Sequence, residues 1–151
     1  LGALKIKRPP RLRIVYSKKL KESERLKITS SKDVYQLLQQ IWSKQIEVRE
    51  EMLILFLDRS NRVLGYHILS MGGITGTVAD IRLIYSLALK SLSTSIIMAH
   101  NHPSGNLSPS HSDIELTKKV KEAGQLMDIN LLDHIIMTKE GYYSFADEGM
   151  M

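Results

Sequence analysis

The chain of 151 residues contains no cysteine. Disulfides and cysteine-held iron–sulfur clusters are therefore excluded, and any metal must be held by His, Asp or Glu. The same absence removes the zinc deaminase chemistry that depends on a Cys-x-x-Cys pair. No apolar run approaches the ~20 residues needed to span a bilayer, so no membrane partner is expected. The N-terminus is basic and never enters an apolar stretch; no secretory leader is expected, and the expected location is cytoplasmic. Internal repeats and low-complexity tracts are missing as well. What is present, 43% hydrophobic and 25% charged residues, is the composition of an ordinary globular domain, long enough to bury a core.

The formal charge of +5 is unevenly spread. Residues 1–32 hold 11 Lys/Arg against 2 Asp/Glu, a net +9, whereas residues 33–151 hold 10 against 14, a net −4. The basic character thus belongs to an arm rather than to the body. Residues 1–29 read as that arm and residues 30–151 as the domain. Such an arm can meet nucleic acid through phosphates, or simply stay solvated; specific base readout needs more than charge. Within it Pro9-Pro10 discourages helix, and the alternation of Leu12, Ile14 and Tyr16 suggests an edge strand.

Beyond the arm, Ser30 or Ser31 can cap a helix whose apolar stripe is Val34, Leu37, Leu38, Ile41 and Trp42. Residues 51–57 (EMLILFL) read as a buried strand, 58–61 as a turn, and 62–70 as the returning strand of a hairpin. Gly72-Gly73 breaks that strand, and 75–78 reads as a short one. Asp80 can cap a helix with the stripe Ile81, Ile84, Tyr85, Ala88, Leu89 and Leu92. Residues 94–100 (TSIIMAH) form another buried strand, 103–111 a loop, and a helix then runs to about Asp128 with Ile114, Leu116, Val120, Ala123 and Met127 among its apolar positions. Residues 131–137 and 142–145 close the chain as strands around a turn at 139–141. This order predicts an α/β fold, an αβα sandwich around a mixed β-sheet.

The chemistry concentrates in AHNHPSGNLSPSHSD, residues 99–113. His100 and His102 stand two apart at a strand end, so their imidazoles share a face and can reach one ion. Asp113 follows across the loop, in the first turn of the next helix. Two imidazoles and a carboxylate fill three positions of a tetrahedron and leave the fourth for water, the mark of a catalytic rather than a closed structural zinc site. Each residue also has a plainer role available. Asp113 can favour a helix dipole, Ser110 or Ser112 can be an N-cap, and Ser112 with Glu115 has capping-box spacing. Asp133 and His134 form a second polar pair in an apolar strand, either a buried hydrogen-bonded pair or groups that orient a metal ligand. His67 and His111 belong to no motif.

The spacing His-x-His, seven residues, Ser, two residues, Asp, here His100, His102, Ser110 and Asp113, resembles the metal signature of the JAMM (JAB/MPN) metallopeptidases. HNHPSG, LLDHIIM at 131–137 and the ending YYSFADEG are similar to the RadC-type branch, and the resemblance covers roughly residues 45–149. It implies the JAB/MPN, cytidine-deaminase-like architecture and one zinc ion per chain on His100, His102 and Asp113. It further implies an upstream glutamate as general base and Ser110 as a partner of the oxyanion. The glutamate candidates are Glu50 and Glu51. Reading back from Leu57-Asp58 aligns Glu50, and alternation places Glu50 on the face of Met52, Ile54 and Phe56. The implied activity is that of a zinc-dependent hydrolase acting on a peptide or protein. Asn101 stands where the deubiquitinating branch has Ser or Thr, which removes ubiquitin as a ready inference. The alternatives are a DNA-associated repair, recombination or mobile-element factor, as the RadC name suggests, and a metal-site domain turned scaffold. The string His100-Asn101-His102 is not an HNH nuclease, whose named residues are separated in a ββα unit.

Overall fold

The computed structural model describes residues 9–11, 20–71 and 79–151. The edge strand expected at Leu12–Tyr16, the Gly72-Gly73 break and the strand expected at 75–78 lie outside them. The described elements run α1 (Ser31–Ile41), β1 (Glu51–Leu57), β2 (Val63–Met71), α2 (Ile81–Lys90), β3 (Ser95–Asn101), α3 (His111–Met127), β4 (Asn130–Met137) and β5 (Tyr142–Ser144).

The five strands form one sheet in the order β2-β1-β3-β4-β5. Only β3 and β4 are parallel, and the crossover between them is α3; the other neighbours pair antiparallel, so the sheet is mixed. β1 and β3 lie inside the sheet and are buried along their whole length, which is why both read as continuous apolar runs rather than alternating ones. Side-chain alternation divides them between two cores. Leu53, Leu55, Leu57, Ile97 and Ala99 pack under α1 with Val34 and Leu38. Ile54, Phe56, Ile96 and Met98 pack under α2 and α3 with Ile84, Tyr85, Ala88 and Val120. The result is the expected αβα sandwich.

The helices start where their caps are. Ser30 and Asp33 form a reciprocal capping box on α1, and Asp80 accepts from the Arg82 amide at the start of α2. α2 corrects one expectation. Leu89 and Leu92, placed on its apolar stripe, are exposed. The helix ends at Lys90 and Leu92 enters a left-handed turn at φ 57°, so the 3.6-residue period no longer governs its direction. Met127, in the last turn of α3, is likewise exposed.

Packing extends ahead of α1. Ile28 lies in the core, and the buried Arg25 guanidinium meets Asp58 at 3.3 Å. Thus the segment before α1 is tied to the β1–β2 turn.

Candidate metal centre

Near the end of β3, His100 lies on the α3 side of the sheet; the chain leaves the strand at His102 and returns at α3. Ser110 caps that helix, its Oγ accepting the Asp113 amide at 3.1 Å while Asp113 Oδ2 accepts the Ser110 amide at 2.8 Å. The capping box is therefore Ser110–Asp113, not Ser112–Glu115. It holds the Asp113 carboxylate over the end of β3. His100 Nε2 lies 3.2 Å from Asp113 Oδ1, His102 Nε2 lies 3.3 Å from Oδ2, and the two Nε2 atoms are 3.0 Å apart. One donor atom from each residue falls within 4.8 Å of the others.

The tautomers follow from the surrounding bonds. The Thr117 hydroxyl donates to the Asp113 carbonyl at 2.7 Å. It therefore accepts from His134 Nδ1, 2.6 Å away. Burial, followed by the neighbouring His100, pushes His134 well below the usual histidine range and keeps it neutral. Its Nε2, 2.7 Å from His100 Nδ1, must then accept, so His100 donates from Nδ1. His102 Nδ1 can only donate to the Asn106 carbonyl, at 2.6 Å. Both imidazoles thus present their Nε2 lone pairs to each other and to a carboxylate, an arrangement that calls for a positive charge between them.

In the metal-free protein a proton on an imidazole Nε2 supplies that charge: burial alone would raise the Asp113 carboxyl, but the hydrogen bonds such a proton makes from His100 and His102 hold it far below the usual carboxylate range. The hydrogen bond to Asp113 in turn raises His102. A divalent ion fits the donor set. A tetrahedral zinc with bonds of ~2.0–2.1 Å has ligand atoms ~3.3 Å apart, close to the separations seen here. Two imidazoles and a carboxylate also suit zinc by donor type.

The two glutamate candidates are sorted by environment. Glu51 is buried, accepts from Ser43 Oγ at 2.9 Å and lies 3.8 Å from Arg49 Nε. Glu50 is half-buried and borders a hollow of about 550 Å³ that also contains His102, Asn106, Pro109 and Ser110. Its charge helps to raise His102. A second hollow of about 430 Å³, lined by Ile46, Leu107 and Thr138 among others, meets the first along His102, Pro103 and Ser104.

Asp133 and His134 prove to serve different faces. Asp133 accepts from Ser144 Oγ and from the amides of His134 and Ala146, anchoring the C-terminal segment. His134 faces the candidate centre. Thr117 escaped sequence reading, although its place one helical turn after Asp113 was a signal. His67 and His111 are exposed, and neither belongs to the group whose ligand atoms converge.

A small αβα domain with an open two-histidine, one-aspartate centre at the junction of a sheet strand and a helix N-terminus defines the class. The RadC-like JAB domain family matches residues 28–150, and the chain belongs to that family. A UPF0758 protein of Flavobacterium johnsoniae is 48% identical over 124 residues, which cover 82% of this chain and 53% of that protein. UPF0758 proteins of Porphyromonas gingivalis and Methanosarcina mazei are 46% and 41% identical, over 68% and 86% of this chain and 46% and 56% of theirs. The chain thus spans about half the length of the curated relatives it matches. No helix among the described residues is long and apolar enough to cross a membrane.

Proposed function

We propose that this domain is a zinc-dependent hydrolase cleaving a peptide or isopeptide bond. The observation that carries the reading is the hollow that Glu50 and Ser110 line together with His102. His100, His102 and Asp113 would hold the ion. Bound there, zinc supplies Lewis acidity and brings the pKa of a water toward ~7. Glu50, free of the contacts that occupy Glu51, takes a proton from the attacking water and returns it to the leaving amine. Ser110 Oγ already accepts the Asp113 amide, which leaves its hydroxyl proton to donate to the developing oxyanion. The two hollows that meet along His102, Pro103 and Ser104 would give an extended chain room on either side of the centre.

The test begins with elemental analysis and zinc titration of the purified chain, followed by a peptide-library cleavage screen. One equivalent of zinc is expected, lost in His102→Ala. Glu50→Gln should retain the zinc while cleavage falls by about 10²-fold or more. Uptake of less than about a tenth of an equivalent would defeat the metal centre, since a structured site of this donor set should bind tightly. Undiminished cleavage in Glu50→Gln would defeat the assignment of the base.

A further inference from the structure

Asn101 sits between two candidate ligands but serves the opposite face of the sheet. It is fully buried, and its amide bonds on both sides. Oδ1 accepts the Glu51 amide at 2.7 Å. Nδ2 donates to the carbonyls of Ile46, at 2.6 Å, and Arg49, at 2.9 Å. Ile46 and Arg49 belong to the irregular segment that leads into β1, and Glu51 is the first residue of that strand. The β1–β3 ladder has its last backbone pair at Met52 and His100. Where the ladder stops, the Asn101 side chain takes over from the backbone and holds the diverging segment against the strand that bears the ligands.

That segment forms a wall of both hollows. It gives Ile46 and Glu47 to one, and Val48, Arg49 and Glu50 to the other. Glu51 also pairs with Met71 of β2; ahead of it the backbone bonds are local, from the amides of Val48 and Arg49 to the Gln45 carbonyl. They shape the turn without referring it to β3. The Lys139–Glu47 ion pair at its edge is exposed on both sides, and such pairs hold little. Beside the packing of Ile46 on the core, the buried amide of Asn101 links the segment directly to the strand that bears His100.

We propose that Asn101 is a positioning residue that fixes Glu50 over the metal centre, so that one side chain couples the ligand strand to the general base. The inference rests on the reading of Glu50 as base. A serine is too short to span the three contacts. An aspartate keeps the volume but turns both donors into acceptors facing two carbonyls, so the segment must withdraw.

Cobalt(II), as a spectroscopic substitute bound to the full chain, provides the test. The visible spectrum of the cobalt-loaded protein is followed against pH. Glu50→Gln should displace the midpoint of the spectral transition, because a charge facing the centre is gone. Asn101→Asp and Asn101→Ser should bind cobalt stoichiometrically, within about threefold of the parent affinity, since no ligand is touched. They should nevertheless displace the midpoint in the direction of Glu50→Gln, by about half a pH unit or more. Combining Asn101→Ser with Glu50→Gln should add nothing further, as expected of two residues acting through one group. Val34→Ala, a core truncation under α1, should lower stability and leave the midpoint in place. Parent-like midpoints in both Asn101 variants, beside a displaced one in Glu50→Gln, would overturn the proposal while sparing the assignment of the base. A Glu50→Gln protein with the parent midpoint would overturn that assignment and the proposal with it. Should the aspartate variant fail to fold, Asn101→Ser and Asn101→Ala carry the same readout.

Discussion

His134 never touches the position of the ion, yet it decides which nitrogen His100 can offer. Its ring stacks on Phe145, with centroids 4.8 Å apart and planes at 14°, and its two nitrogens link Thr117 to His100. His134→Phe keeps the ring and the stacking but removes the acceptor. His100 Nδ1–H is then buried without a partner, and the imidazole can exchange tautomers. Zinc affinity, measured by competition with a chromophoric chelator, should fall about 10- to 100-fold. Thr117→Val should act in the same direction and more weakly, because the Thr117 hydroxyl bonds His134 and not a candidate ligand directly. Unchanged affinity in both variants would show that the relay does not orient the ligand. The three candidate ligands, which the structure brings together, were legible in the sequence because they lie within 14 residues at a recognisable spacing. Thr117 and Asn101 were not, because their meaning depends on distant partners: 17 residues away for the contact with His134, and 50 to 55 away for those of Asn101.

At the level of elements, the two faces of β4 are set by an irregularity. Ile96 pairs with Leu131 but Ile97 pairs with Asp133, so Leu132 is an extra residue in the ladder. Without it the alternation would reverse, and His134 would face α1 instead of α3. Nothing in the string LLDHIIM announces such a bulge, and that is why Asp133 and His134 read as one pair. Apolar periodicity disclosed α1, β1 and β3, whose burial is one-sided or complete, whereas the end of α2 depended on a left-handed turn that periodicity does not register. Asp133 offers a pH test of its side of β4. Burial raises its carboxyl above the usual 3.8 despite its three hydrogen bonds. A raised folded-state value means stability contributed by the protonated form, present below 3.8 and lost as pH climbs through the folded value. Asp133→Asn keeps Oδ1 for the two amides, and its NH2 can donate to Ser144 Oγ. Its unfolding free energy relative to the parent should therefore improve as pH rises through that window, then level off; a difference independent of pH would contradict this account. Gly124 marks a close approach of α3 to Tyr85 and to the chain that follows the helix. A Cβ there would collide with the Ile129 carbonyl and crowd the Tyr85 hydroxyl, which is itself bonded to the Val120 carbonyl at 2.5 Å. Gly124→Ala, despite the better helix propensity of alanine, should cost about 1–3 kcal/mol in urea unfolding.

For the molecule as a whole, the centre ties the loop after β3 and the first turn of α3 to the sheet. His100 belongs to β3, His102 to the loop that follows, Asp113 to the first turn of α3, and His134, through His100, brings in β4. An ion held there closes the loop 103–110 and pins the N-terminus of α3 to the sheet, while α1 lies on the far side and shares none of the ligands. Zinc should therefore bind the folded chain far better than the unfolded one. At a free concentration one hundred times the dissociation constant, the added stability is about 2.7 kcal/mol. For a domain of this size that corresponds to a rise in Tm of roughly 5–10 °C. His102→Ala should abolish the rise without unfolding the metal-free protein. The location of the effect is as informative as its size. Hydrogen exchange, compared with and without zinc, should slow in the loop 103–110 and in the first turns of α3, whose capping box shares the Asp113 carboxylate with the ion. Exchange in α1 should change only through global stability, and so only for amides that exchange by global unfolding. A uniform slowing across all elements, or a Tm indifferent to zinc, would mean that the ion does not sit where His100, His102 and Asp113 converge.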